Sequence, residues 1–354
     1  MTLKLLLKRG ALLAVANWQA VAIQFFAETT FQVLLAVPIF GAAILVAVSV
    51  GADLGELLQG SLREMATNSA RALTLEPMAL GAFLSAFAIA LAGGSGLTCL
   101  VKGGTLDVLL AAHESAGPIE REPITFDSLR TAAQFSLPRF MSGCARLFRQ
   151  YLGLGLVLMC VYAGSGVVYL ACIVYGYAAA GNVVGVIGWT MIAAFATVVL
   201  ILWITLVNLV YLLLQIAMAA DDVGLSDAFR AVSRFVRAEI SVLSRMFLVI
   251  LAFVVGATLV SALAWSGVGL IAFVPLVGLA VFPLQIVALI VRGLAFEYIG
   301  LAAAGAYLTL YRRAPRGEPF IEAGASLTAG QGLPVPPAPA ATSPGSSGSG
   351  SAAL

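Results

Sequence analysis

Apolar residues dominate the chain in long stretches, and polar residues gather between them. A helix needs about 20 apolar residues to cross a hydrocarbon core of about 30 Å. Six stretches reach that length, so the pattern predicts an all-α integral membrane protein with six transmembrane helices. The predicted spans lie at about residues 31–50, 79–101, 151–175, 186–218, 240–265 and 284–310.

The region before the sixth span stays apolar for longer than one span requires. Residues 267–310 are almost continuously apolar, with Pro275 and Pro283 inside them. Proline removes a helix hydrogen bond and clashes with the preceding turn. We therefore expect a half-inserted segment over 267–282, followed by a spanning helix from about Leu284. The alternative, in which this segment belongs to a span, stays open at this point.

Lys and Arg gather on one side of the predicted spans. They lie before the first span, in the loops after the second and fourth spans, and after the sixth. The opposite loops hold only Arg63 and Arg71. Because cytoplasmic segments carry the excess of Lys and Arg, we expect a multi-pass protein with both termini in the cytoplasm.

The two large basic loops share a short pattern. Asp127 with Arg130 matches Asp227 with Arg230, 100 residues further along. Both segments continue with apolar residues at spacings of three and four, which is typical of an amphipathic helix, although Pro138 should kink or split the first of them. With a degenerate copy before the first span, they indicate a threefold repeat of helix-hairpin units. The alternative is that any interfacial helix entering a membrane carries this pattern.

Arginines line the polar faces of these interfacial helices. Such helices lie in the headgroup layer, where basic side chains meet lipid phosphates. The arginines predicted to contact headgroups are Arg130, Arg139, Arg230, Arg234 and Arg237.

The composition changes after Arg313, where Pro, Gly, Ser and Ala take over. Such a segment cannot bury enough apolar surface to offset the entropy lost on ordering. The sequence therefore divides into a polytopic membrane domain over 1–313 and a disordered cytoplasmic tail over 314–354.

Composition narrows the chemistry. Hydrophobic residues make up 61% of the chain and charged residues 10%, and the net charge of +2 excludes a strongly basic nucleic-acid binder. With four cysteines and one histidine in no ligand pattern, neither a metal nor another cofactor is expected. His113 is expected to be a solvated helix residue, and Asp221-Asp222, the only adjacent acidic pair, a solvated helix end. No catalytic constellation emerges, so we do not expect an enzyme.

One pair of opposite charges falls inside the sixth span. Arg292 and Glu297 are five residues apart, which places them about 140° apart around a helix and poorly aligned to pair. One hypothesis is an internal polar site in which Tyr298, or a hydroxyl from another span, is the partner of Glu297. The alternative is that Arg292 extends to the outer interface and the span begins near Gly293.

Two short motifs carry a resemblance to known proteins. Leu225–Arg230 reads Leu-Ser-Asp-Ala-Phe-Arg, and Tyr307–Arg313 closes the last span with Tyr-Leu-Thr-Leu-Tyr-Arg-Arg. Over roughly residues 1–313 the chain resembles uncharacterised bacterial six-span proteins, which are similar to the membrane domain of some glycerophosphodiester phosphodiesterases. The resemblance implies a six-helix bundle in the bacterial cytoplasmic membrane. The catalytic domain of those fusions has no counterpart here.

These observations favour a non-enzymatic protein that is a structural, assembly or lipid-organising component of a membrane complex. The alternative is a transporter or a pathway for lipid or solute. Membrane phospholipids are the expected partners, another membrane protein or a second copy of the chain is a further candidate, and no nucleic acid is expected.

Overall fold

The computed structural model describes residues 2–50, 77–121, 126–180, 182–272 and 275–313. Within these residues the secondary structure is helical, without strands. Six of the helices are long and apolar enough to cross a membrane, which confirms the predicted all-α membrane class. The helices are α1 (Leu3–Ala16), α2 (Trp18–Val50), α3 (Pro77–Ser115), α4 (Phe126–Ala132), α5 (Leu137–Ala179), α6 (Val183–Asp221), α7 (Leu225–Ala272) and α8 (Pro275–Arg313).

Each predicted span lies inside one of the six long helices, and each helix is longer than its span. Helix α2 begins at Trp18 rather than near residue 31, and α3 continues past residue 101 to Ser115. The hydropathy of the sequence falls at Lys102, so the predicted second span ended at residue 101. The helix continues because a single charged residue does not end a helix when neighbouring helices accommodate its side chain.

The half-inserted segment predicted over 267–282 is wrong as a separate element. Helix α7 extends to Ala272 and α8 already begins at Pro275, so the segment is divided between the ends of two helices. Pro275 opens α8, where a missing amide hydrogen costs no helix bond. Pro283 lies inside α8 without ending it, so it was mistaken for a helix boundary.

The six long helices pack with a threefold pattern. α3, α6 and α8 contact one another, and each of α2, α5 and α7 packs against two of them. α2 contacts α3 and α8, α5 contacts α3 and α6, and α7 contacts α6 and α8. This arrangement supports the predicted repeat, because each unit then supplies one outer and one central helix.

Several close helix contacts depend on glycine. A Cβ atom on Gly94 would collide with the Phe31 ring, and one on Gly104 would lie 2.7 Å from both Cys144 Sγ and the Phe140 ring. Small residues let helix backbones approach closely in membranes. Gly94 and Gly104 thus permit close helix packing, and the glycines of α3 do not interrupt the helix.

The buried core lies at one end of the bundle, which we call the basic end. It is formed by α1, α4, the last turns of α3, α6 and α8, and the first turns of α2, α5 and α7. Helix α1, predicted as an interfacial helix, packs one face into this core. Leu13 and Ala14 are fully buried, and Gly10 lies against Ala302 and Ala306 of α8.

The amphipathic segments join their spans through bends. Pro138 stands in the first turn of α5 after a break from α4, which confirms the predicted split, and α7 is kinked at Glu239. Asn17 turns the chain from α1 to α2, and its buried side-chain amide donates to the carbonyls of Leu13 and Ala132, both at 3.0 Å. Asn17 therefore links the bend between α1 and α2 to the end of α4.

The predicted tail, Arg63 and Arg71 lie outside the described residues. The disorder of the tail and the cytoplasmic location of the termini therefore stay predictions.

Candidate functional site

The three residues of the predicted intramembrane polar site point in different directions. Arg292 is exposed, and its guanidinium lies 5.8 Å from the centre of the Phe296 ring on its own helix. The Tyr298 hydroxyl donates to the carbonyl of Ala11 at 3.4 Å. Glu297 is half-buried. Arg292 and Tyr298 thus make contacts with residues other than Glu297.

A cavity lies where the three central helices meet, and its α8 wall begins one helical turn after Glu297. The cavity has a volume of about 220 Å³ and is partly open. Its polar side chains come from α2, α3 and α6, and its α8 wall consists of small and apolar residues. The lining residues are Gln24, Lys102, Thr105, Leu106, Asn208, Tyr211, Leu212, Gln215, Gly300, Leu301 and Ala304.

The three central helices present equivalent positions to this cavity. A polar residue is followed at positions +3 and +4 by two lining residues, the second of which is always leucine. Residues at these spacings share one face of a helix. The leading residues are Lys102 in α3, Asn208 in α6 and Glu297 in α8. In the three repeats this position thus holds a cation, an amide and an acid.

Further hydrogen bonds surround the cavity. Asn208 accepts a hydrogen bond from Tyr162, and the Lys102 ammonium lies 5.5 Å from the centre of the Tyr211 ring. The backbone carbonyl of Gln215 accepts from the buried Tyr151 hydroxyl at 2.8 Å. The side chain of Gln215 is almost fully buried at 2% exposure, and its Nε2 has no hydrogen-bond partner among the described residues.

Sequence analysis missed this cavity, although a signal was present. Lys102 was assigned to a loop, and the polar residues of the fourth span were not considered. Asn208, Tyr211 and Gln215 stand at i, i+3 and i+7, which is the spacing of one helix face. This periodic polar stripe inside a span is the sequence feature from which an internal polar surface was predictable.

The five arginines predicted to contact headgroups are all exposed at the basic end. Two of them make local contacts: Arg139 donates to Gln134 at 2.9 Å, and Arg230 pairs with Asp227 at 3.2 Å. We call these five residues, Arg130, Arg139, Arg230, Arg234 and Arg237, the arginine rim. Their exposure is what headgroup contact requires.

A buried ion pair lies beside the rim. Arg9 donates to Glu120 at 2.7 Å and to the carbonyl of Gly117 at 2.6 Å, and both side chains of the pair are under 10% exposed. Burial raises the pKa of the Glu120 carboxyl, but a backbone hydrogen bond and the hydrogen bond and charge of Arg9 outweigh it, so the net pKa lies below its ordinary value. His113 is half-buried, its carbonyl accepting from Arg9 at 3.1 Å. The expectation of a solvated His113 was therefore wrong.

The acidic pair of α6 is held in structural contacts. Asp221 accepts from the Tyr311 hydroxyl at 2.6 Å, and Asp222, exposed at the helix end, lies 4.0 Å from Arg146. Among the described residues no group of three or more His, Cys, Asp or Glu side chains is arranged to hold a metal ion.

No protein-family model matches the chain, and comparisons with curated proteins and with solved structures find no match either. The resemblance to the membrane domain of glycerophosphodiester phosphodiesterases therefore stays a prediction.

Proposed function

We propose that this protein is a non-enzymatic integral membrane protein that organises lipid, as a structural or assembly component of a bacterial cytoplasmic membrane complex. The observation that carries this proposal is the arginine rim. Five exposed arginines adjoin a packed protein core at one end of a bundle whose long helices present apolar side chains. This distribution suits a protein that holds anionic headgroups around itself.

The magnitude of the attraction is sufficient for lipid selection. A basic residue near an anionic leaflet contributes about 1 kcal/mol, so five together contribute roughly 5 kcal/mol at low salt. The rim residues lie on helices α4, α5 and α7. Helical backbone therefore sets the spacing of their charges at the headgroup layer.

The acidic and histidine side chains near the rim support a non-enzymatic role. His113 and Asp221 both contact residues of α8, through Thr309 at 3.4 Å and Tyr311 at 2.6 Å respectively. These contacts join the ends of α3, α6 and α8. Their role is to hold the central helices together at the basic end.

Lipid selectivity tests the proposal. The full chain is reconstituted in bilayers containing phosphatidylglycerol, and the fraction of spin-labelled phosphatidylglycerol immobilised by the protein is compared with that of phosphatidylcholine. We expect a preference for phosphatidylglycerol that is lost when the five rim arginines are changed to Gln and retained when they are changed to Lys. Equal immobilisation of both lipids by the unchanged protein would contradict the proposal.

A second function is favoured by the polar cavity, because broken or polar-lined bundles with internal repeats are typical of transporters. In this alternative the chain moves lipid or solute through the bundle. Transbilayer movement of a fluorescent phospholipid in proteoliposomes distinguishes the two functions. Movement faster than in protein-free vesicles, and reduced by Lys102→Gln, would favour the pathway.

A further inference from the structure

In the cavity between the central helices, two donor side chains lack an acceptor among the described residues. The Gln215 side chain is almost fully buried, and its Nε2 has no hydrogen-bond partner in the described part of the chain. The Lys102 ammonium lies 5.5 Å from the centre of the Tyr211 ring and forms no ion pair with a described residue. Both side chains line the cavity. Because a buried donor that is left unpaired destabilises a protein, an acceptor is expected beside them.

The charge on the walls of the cavity indicates that this acceptor is an anion. Among the described residues that line the cavity, Lys102 is the only charged one, and the other polar side chains are neutral amides and hydroxyls. A cation in the cavity would be repelled by Lys102 and would leave the Nε2 of Gln215 unpaired. An anion accepts hydrogen bonds from both side chains, and such charge-assisted bonds are stronger than neutral ones.

A large part of the cavity surface is apolar. Helix α8 contributes Gly300, Leu301 and Ala304, none of which can hydrogen-bond through its side chain, and Leu106 and Leu212 add apolar surface from α3 and α6. A hydrated inorganic ion would gain nothing from these residues, whereas a ligand with apolar atoms would bury them there. The ligand is therefore expected to carry an apolar part as well as a charged group.

The charge and the volume of the site narrow the ligand further. A phosphate monoester carries about two negative charges and three acceptor oxygens, which is more than one ammonium group compensates. A carboxylate carries one charge and two oxygens, one for each donor. The cavity volume of about 220 Å³ exceeds an engineered apolar cavity of about 150 Å³ that holds benzene. The additional space accommodates a carboxylate, so an organic acid of the size of benzoate fits.

We propose that the cavity binds an organic carboxylate, with its oxygens toward Lys102 and Gln215 and its apolar part toward Leu301 and Ala304. A small soluble acid has this chemistry. The carboxyl end of a fatty acid shares it, because the cavity is partly open and a longer tail can leave it. This site goes beyond the function proposed for the arginine rim and does not depend on it.

Calorimetric titration of the full chain in a neutral detergent tests the proposal with three ligands of nearly equal size. Benzoate is the carboxylate, benzamide is its neutral counterpart and benzylammonium is the cation, and protein-free micelles supply the blank for each. We expect benzoate to bind about tenfold more tightly than benzamide, because hydrogen bonds to a charged acceptor are stronger, and benzylammonium to bind least. Equal binding of benzoate and benzamide, a preference for benzylammonium, or no binding of benzoate would overturn the proposal.

Variants of the two donors assign the binding to the cavity. Lys102→Met and Gln215→Met each remove a donor and keep an unbranched side chain, and each is expected to weaken benzoate about tenfold. Lys102→Arg keeps the charge and should largely retain binding. Arg149→Gln, which removes an exposed charge at the basic end, is the matched control and should change nothing. Benzoate affinity that is unchanged in both methionine variants would refute the site.

The chain length of the acid identifies its source. Hexanoate and dodecanoate carry the same carboxylate and are compared in nanodiscs of phosphatidylcholine, with empty nanodiscs correcting for partition into the lipid. Tighter binding of dodecanoate, with the same loss in Lys102→Met, would identify a fatty acid. Equal affinities with that loss would identify a soluble acid, and binding of both acids that does not depend on Lys102 would contradict the proposal.

Two further measurements exclude a folding defect and the arginine rim as causes. Gln215→Met removes a buried unpaired amide, so its melting temperature without ligand should not fall, whereas its stabilisation by benzoate should decrease. The chain in which the five rim arginines are changed to Gln should bind benzoate as tightly as the unchanged protein. Binding that is lost in that chain and retained in Lys102→Met would place the anion at the rim and refute the cavity site.

Discussion

At the scale of single residues, the Arg9–Glu120 ion pair is the contact whose loss is expected to destabilise the protein most. It joins α1 to the turn after α3, and Arg313 lies 3.9 Å from the same carboxyl. Both side chains of the pair are nearly excluded from solvent. Breaking a buried pair leaves one charge uncompensated, whereas an exposed pair contributes little.

Arg9→Met is therefore expected to destabilise the protein by about 3–5 kcal/mol, because it leaves Glu120 buried without its main partner. Arg230→Gln breaks the exposed pair with Asp227 and should cost about 1 kcal/mol or less. Unfolding of both variants by denaturant in detergent measures the difference. Equal losses would show that the Arg9 pair is not buried in solution.

Glu120 also makes stability depend on pH. Its pKa in the folded protein lies below the ordinary value of 4.5, so its charged form stabilises the fold above pH 4.5 and this contribution is lost as the pH falls through the folded pKa. The melting temperature of the unchanged protein should exceed that of Glu120→Gln at pH 6, and the difference should shrink below pH 4.5. A difference that is constant from pH 6 to pH 3 would exclude this role.

Individual residues were the least accessible to sequence analysis. Arg9 and Glu120 are 111 residues apart, and nothing local distinguishes them from solvated charges. Lys102 directly follows an apolar stretch, which is where a loop is expected to begin. Its position inside the protein depends on the helices that surround it, and the local sequence does not report them. Glu297 was identified from the sequence because it lies well inside a predicted span, where a charged residue is costly and rare.

At the scale of helices, the approach of α1 to α8 controls how the first unit closes on the last. A Cβ atom on Gly10 would collide with the carbonyl oxygen of Ala302 and lie 2.6 Å from the amide nitrogen of Ala306. Both are backbone atoms, so no side-chain movement relieves the overlap. Gly305 of α8 faces the same contact, with its added Cβ 3.1 Å from the Cα of Gly10.

Gly10→Ala should therefore destabilise the protein by about 1–3 kcal/mol, the usual cost of overpacking. Gly96→Ala is the matched control, since an added Cβ there meets no atom within 4 Å and alanine is the better helix former. Thermal unfolding in detergent compares the two. A Gly10→Ala protein as stable as the control would show that α1 does not pack on α8 this closely.

Helices were predictable in number and kind, and less so in extent. Long apolar stretches identify spans because a bilayer demands them, and Pro138 marked the start of α5. Helix ends depended on contacts that hydropathy does not report: α3 continues through Lys102, and α8 passes Pro283 unbroken. The position of α1 inside the protein follows from Gly10, whose significance appears only beside α8.

At the scale of the whole molecule, one end carries the core, the buried ion pair and the arginine rim. The predicted orientation places this basic end in the cytoplasm. Ser226 lies at that end and is exposed, whereas Val184 is exposed in the first turn of α6, next to the hairpin that follows α5. The two positions are therefore expected on opposite sides of the membrane.

Cysteine labelling tests this topology. In a chain whose exposed Cys160 and Cys172 are replaced by Ser, Ser226→Cys should react with a membrane-impermeant maleimide only after the cells are opened. Val184→Cys, its counterpart, should react in intact cells. The reverse pattern would invert the orientation.

Photo-crosslinking with phosphatidylglycerol that carries a diazirine in its headgroup measures where the protein holds anionic lipid. The full chain is reconstituted, irradiated and digested, and modified peptides are mapped. We predict adducts concentrated in residues 126–139 and 225–239, and their loss when the five rim arginines are changed to Gln. Adducts spread evenly over the chain, or concentrated at the opposite ends of the helices near Ala179, would contradict a lipid-organising role for the arginine rim.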